Sequence, residues 1–265
     1  MKHIKILLAT MFVAFSAWAG QVTDLPLDGQ RGRWIDTIDE DARPYAYKKQ
    51  EELTRKGKSA LRFELRHGDC YTAVPLNPAS GWDDCTRDRE RAEIREKWNP
   101  RLNTDVWYAF SVYIPKDYEP MYPKQIFFQW HNGTWGPNVY FQLNKNTFLI
   151  DILTEVETTT KQFNLGTLEK GVWHDFMINA VWSTKPTGKL VVYRNGGNVL
   201  EYTGPTMDPV GYATGHGPHV KMGLYVSHLF RWTSAEKRPT HVIYFDEYRR
   251  GYSYDEVDIT KYQGD

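Results

Sequence analysis

"KQIFFQWHNG", residues 124–133, decides the fold, because it reads as a β-strand whose polar groups keep to one side. Successive side chains on a strand point to opposite faces, so Gln129 and His131 share one face while Phe128 and Trp130 share the other. An amide and an imidazole aimed together form either a site or an ordinary solvated surface, and the other strands must decide which.

Similar stretches fill the chain: "SALRFEL", "RAEIREKW", "VWYAFSVYI", "NVYFQLN", "TFLIDIL", "VWHDFMINAVW", "KLVVYRN", "NVLEYTG", "VKMGLYVS" and "HVIYFDEYRRG". They are rich in Val, Ile, Tyr, Phe or Trp, bounded by turn residues, and "RNGGN" supplies the Asn195-Gly196 hairpin signal. Only "DEDARPYAYKKQEELTRKG" (39–57) reads as irregular or weakly helical. Antiparallel strands without βα alternation predict an all-β fold, a two-sheet antiparallel β-jelly roll. Every second residue of several strands would line a concave substrate groove. No repeat or linker interrupts the pattern, so residues 20–265 are expected to form a single domain.

Residues 1–19 have the basic start, apolar run and A-x-A ending of a signal peptide. The mature chain is expected to be periplasmic or secreted, with no membrane association after cleavage. In an oxidising compartment Cys70 and Cys85 would form a disulfide across a loop rich in Gly, Asn, Pro and Asp. Lys plus Arg and Asp plus Glu are equal at 33 each, so attraction for a polyanion must come from a local cluster. No basic tract interleaved with aromatics points to nucleic acid, and no glycine-rich phosphate loop points to a nucleotide.

Two more strands share the polar habit. "RAEIR" (91–95) aligns Arg91, Glu93 and Arg95 on one face, where the acid can orient the guanidinium groups toward a ligand carboxylate. "KMGLY" (221–225) aligns Lys221, Gly223 and Tyr225, the glycine leaving space between an ammonium and a phenol. Tyr140, Gln142 and Asn138 in "NVYFQLN" could line the same groove, or a plain surface.

R-A-E-I-R, Q-W-H and K-M-G-L-Y, in this order, resemble the signature strands of the jelly-roll polysaccharide lyases, the group holding alginate, glucuronan and heparin lyases. Ser227 stands where the alginate enzymes usually continue toward Gln, and the "MGLYVSHLFRW" ending looks closer to the glucuronan and heparin branch. The resemblance implies an acidic polysaccharide substrate, cleavage by β-elimination, and a monomer. Arg91 and Gln129 would neutralise the sugar carboxylate, with Arg95 close behind and Glu93 orienting them. His131 and Tyr225 would move the protons, Lys221 helping the phenol ionise. If the C5 proton and C4 oxygen lie on the same side of the sugar, Tyr225 could serve as both base and acid; if on opposite sides, His131 would be the base.

No cofactor is required by this chemistry. Related lyases sometimes hold calcium, for which Asp83, Asp84 and Asp88 beside Cys85 offer oxygens. "HGPH" (216–219) reads as a turn that lacks a third metal ligand. Two other functions remain open: a carbohydrate-binding module on the same scaffold, and a glycoside hydrolase using Asp151 and Glu155.

Overall fold

The computed structural model describes residues 34–36, 43–72, 83–120, 124–133, 136–154, 160–233 and 236–261. The expected signal peptide and Glu155 lie outside them. The strands form two seven-stranded sheets in which the assigned neighbours pair antiparallel. The front sheet runs, in spatial order, β1 (Trp34–Asp36), β4 (Arg89–Glu96), β13 (His219–Ser227), β6 (Gln125–His131), β7 (Pro137–Asn144), β8 (Thr147–Leu153) and β9 (Thr160–Thr167). The back sheet runs β12 (Gly197–Thr203), β11 (Lys189–Arg194), β10 (Trp173–Val181), β5 (Asp105–Tyr113), β14 (His241–Gly251), β3 (Ala60–Leu65) and β2 (Tyr47–Gln50).

Three strands correct the sequence reading. Trp34–Asp36 forms β1, the stretch 39–57 contains β2, and "TKQFNLGT" forms β9. All three sit at sheet edges, and in β2 and β9 charged and polar residues blunt unwanted pairing and dilute the hydrophobic signal.

Apolar residues from the inner faces fill the space between the sheets. Phe110 of β5 stacks on Phe128 of β6 at 4.1 Å and 12°, and Phe141 and Phe176 pack around it. Such contacts contribute about 0.5–1.5 kcal/mol each beyond burial. On the outer face of the back sheet, Val257 and Ile259 of the C-terminal segment cover Ala109 and Met177. Arg249 pins that segment through the carbonyls of Asp258 and Lys261. Among the described residues, no helix is long and apolar enough to cross a membrane.

The outer face of the front sheet is shaped by a bulge. Met222 pairs with Phe128 and Tyr225 with Ile126, so two residues of β13, Gly223 and Leu224, lie opposite Phe127 alone. On the other flank, Ile126 pairs with Gln142 and Phe128 with Phe141. Phe127 and Phe128 therefore both enter the core, and alternation restarts with Ile126 on the outer face. Gly223 is required by this geometry. Its φ is +131°, and a Cβ there would lie 2.1 Å from the Ala92 carbonyl oxygen. Backbone conformation, rather than room between Lys221 and Tyr225, explains the glycine.

Candidate active site

Three central strands bring the predicted polar faces together. Across β4, β13 and β6, Arg95 is in register with Lys221 and Lys221 with Gln129, while Glu93 faces Gly223 and Arg91 faces Tyr225. His131 lies one pair further, opposite His219.

Glu93 is the hub. It is 1% exposed and accepts from Lys221 Nζ at 2.6 Å, from Arg91 Nη1 at 3.3 Å, and from Gln129 Nε2. A buried carboxylate is tolerable only when paired and hydrogen-bonded in this way. Arg91 is held from its other side by Asp84, which takes both Nε and Nη2, the latter at 2.7 Å. That bidentate clamp fixes the guanidinium plane, 4.8 Å from the Tyr225 ring centroid. Arg89 Nε donates to the Tyr225 hydroxyl at 2.8 Å.

Lys221, by contrast, is bound to Glu93, so the cations serving the phenol are Arg91 and Arg89 rather than the lysine expected from sequence. Arg89 was legible, since it continues the alternation Arg89, Arg91, Glu93, Arg95 by one step. Arg95 itself is half-buried, and its side chain has no hydrogen-bond or ion-pair partner among the described residues.

Electrostatics follow from burial. Desolvation raises the Tyr225 pKa, and Arg91 and Arg89 pull it back. Desolvation lowers Lys221 to about 8 against the opposing pull of Glu93. The imidazole of His131 is held well below its usual value by desolvation, then by Lys221, His219 and the arginines. It is therefore neutral at pH 7. Its Nδ1 accepts from the Gly133 backbone N–H at 2.8 Å, which leaves the ring proton on Nε2.

His219 stacks on His131 at 6.0 Å, and burial lowers it to about 3. The "HGPH" stretch is thus a turn only in its first part; His219 opens β13 and belongs to the site. Its position two before Lys221 was the available signal.

Cys70 and Cys85 form the expected disulfide. It secures the segment that carries Asp84, whose backbone N–H also bonds to the Tyr71 carbonyl at 2.7 Å. The acids considered for calcium are used locally: Asp84 grips Arg91, Asp83 accepts from Cys85 N, and Asp88 accepts from Phe230 N. No cluster of three or more metal-ligating His, Cys, Asp or Glu occurs among the described residues.

The floor continues across β7, β8 and β9 in the register Gln129, Tyr140, Asp151, Gln162. Here a cavity of about 380 Å³ is lined by Lys124, Tyr140, Gln142, Asp151, His228 and Arg231 among others. Asp151 accepts from Gln142 Nε2 and from Gln162 Nε2, the latter at 2.9 Å. Asn138 shares the face but is 1% exposed and donates to Asp208, beside the first turn of a short helix (Pro209–Tyr212). It supports the sheet end and does not reach the cavity.

A family model described as polysaccharide lyase matches residues 15–249. The chain belongs to that family. Solved structures similar to this lyase include an endo-β-1,4-glucuronan lyase from the fungus Trichoderma reesei, with a TM-score of 0.62 at 16% identity, covering 80% of this chain and 88% of the other. The family 7 alginate lyase A1-II′ in complex with product gives 0.55 at 15% identity, covering 83% and 95%. Alginate lyase AlgAT5 of the same family gives 0.53 at 16%, covering 83% and 94%. At these identities the likeness is one of fold, and it confirms the jelly roll. Among curated protein sequences none matches the chain.

Proposed function

We propose that this lyase cleaves a uronate polymer by β-elimination, with Tyr225 transferring the proton. The observation that carries the reading is the phenol held by Arg89 and Arg91 beside the buried Glu93 hub. In this reaction the C5–H and C4–O bonds break, a C4=C5 double bond forms, and the C5 proton leaves with the C4 oxygen. The sugar carboxylate must lose its negative character for C5 to become acidic, and each preorganised donor of this kind contributes about 10²–10³ in rate.

Gln129 gives one N–H to Glu93 and keeps a second for the substrate. Arg95 adds a charged fork at the same level, and His131 offers its Nε2–H. Arg91 stays with its two carboxylates and supports the phenolate form of Tyr225. Both ring nitrogens of His131 are thus ill suited to the role of base, one bearing the proton and the other occupied by Gly133. Tyr225 then takes the C5 proton and delivers it to the C4 oxygen from the same side. That division fits glucuronate or mannuronate, in which the two groups are syn. The disulfide and the family are compatible with an exported enzyme.

Ultraviolet absorbance of the unsaturated product tests the proposal. Polyglucuronate or polymannuronate should give a rising signal, polyguluronate little, and Tyr225→Phe about 10³-fold less on the good substrate. Binding without turnover on every polyuronate would make the protein a binding module. Equal turnover of polyguluronate would return the base role to His131.

A further inference from the structure

The cavity over β7 and β8 holds a cation that simple alternation hides. Lys124 precedes β6 by one residue, and odd-numbered Gln129 and His131 would put it on the core side. The bulge at Phe127 reverses that assignment, and Lys124 reaches the outer face to donate to the Tyr140 hydroxyl at 2.5 Å. Its ammonium also lies 4.2 Å from the Tyr140 ring centroid. No carboxylate among the described residues forms an ion pair with it. Asp151, the acid lining the cavity, is occupied by the amides of Gln142 and Gln162. Exposed Arg231 joins Lys124 on a rim whose cations outnumber its single acid, while burial and those two cations lower the pKa of the neighbouring His228.

Position decides what this cavity is for. Tyr140 is the cross-strand neighbour of Gln129, and Gln142 is joined to Tyr225 through Ile126. Strands lie about 4.8 Å apart, close to the length of one sugar ring, so the cavity lies about two sugars from the phenol. We propose that Lys124 and Arg231 form an anion-recognising subsite for a neighbouring sugar, so that the substrate carries acidic groups beyond the residue being cleaved. Carboxylate and sulfate ester share the chemistry required. The inference rests on the lyase reading for its placement, while its occupancy can be measured separately.

Binding of a saturated tetraglucuronate to Tyr225→Phe, followed by calorimetry, reads the subsite with chemistry switched off. Adding Lys124→Met should weaken binding about tenfold and flatten its salt dependence, Arg231→Met should weaken it severalfold, and Lys124→Arg should retain most of it. Arg231 is exposed, so its replacement is a control against misfolding. Unchanged affinity in both methionine variants overturns the subsite even if the enzyme is active. Tight, Lys124-dependent binding with no turnover by the wild type sustains the subsite and sinks the lyase mechanism.

A polymer panel then separates the anion sources. Wild type should show a KM at least tenfold lower for a homopolyuronate than for the same polymer with most of its carboxylates reduced to neutral hydroxymethyl groups. A sulfated form of the reduced polymer that matches the homopolymer assigns the subsite to sulfate as well, and one that stays slow assigns it to carboxylate. Equal KM for the reduced, unsulfated polymer would overturn the proposal.

Discussion

Glu93 and Asp151 sit on one face of one sheet, almost wholly buried, and solve the same electrostatic problem in opposite ways. Glu93 is gripped by a lysine and an arginine, with the Gln129 amide as third donor. Asp151 is gripped by two amides and forms no ion pair among the described residues. A carboxylate held by cations orients charged partners; one held by amides orients neutral ones, and at Asp151 burial raises the pKa. The first arrangement suits the place where bonds break, because the donors facing the substrate must not reorganise during reaction. The second suits a floor over which sugar hydroxyls pass.

Replacing the hub should cause the largest effect. Glu93→Gln leaves Lys221 without its ion pair and Arg91 with one carboxylate where it had two, which costs about 3–5 kcal/mol when buried charges lose their partner. Denaturant unfolding should show that loss, and turnover should fall about 10²-fold or more through disordered Arg91 and Gln129. A variant as stable and active as wild type would mean that Glu93 does not organise the site. Opening the Cys70–Cys85 bridge should come next. Chain entropy predicts a loss of about 3 kcal/mol for a loop of this size, and release of Asp84 should lower kcat in protein that is still folded at low temperature. Full activity of the reduced, folded enzyme would separate the disulfide from the site.

A pH profile sharpens the contrast at about the tenfold level. Lys221 is lowered to about 8, so its charge is present below that pH and lost above it. Tyr225 works in the other direction, its phenolate growing as pH rises. If the ammonium is essential, the kcat/KM profile should therefore climb about tenfold per pH unit below pH 8 and level off above it, where loss of the ammonium offsets growth of the phenolate. Lys221→Met should remove that break and leave a weaker, continuously rising profile. A wild-type profile that rises through pH 9 would show that the ammonium does not matter to substrate capture.

Most of the hub was visible in the sequence, because Gln129, His131, Glu93, Arg91, Lys221 and Tyr225 lie on regular portions of strands where a period of two holds. Arg89 and His219 needed only one more step along the same period. Lys124 could not be found that way. An extra residue at Phe127 reverses the face of everything before it, and nothing in "KQIFF" marks which phenylalanine is the extra one. Asp84 was hidden for another reason, since its approach to Arg91 depends on a loop closed by the disulfide. Edge strands β2 and β9 escaped because residues that protect an edge are the residues that disguise a strand.

The smallest expected effect is the most direct test of the contrast between the two carboxylates. Burial raises the Asp151 pKa, with Gln162 and Lys124 opposing it. An acid raised in the folded state binds its proton more tightly there than in the unfolded chain, so its contribution is fully present below the unfolded value of about 3.9 and is lost as pH climbs through the folded value. Asp151→Asn removes that titration. The stability of wild type relative to the variant, measured by urea unfolding, should then be highest near pH 4 and fall toward neutrality, while Glu93→Gln stays costly at neutral pH because Arg91 keeps its charge. Wild-type stability that instead rises relative to Asp151→Asn as pH climbs would mean that the folded chain favours the charged carboxylate here despite its neutral partners. In that case ion pairing would not separate the two carboxylates, and position alone would separate the place of cleavage from the place of binding.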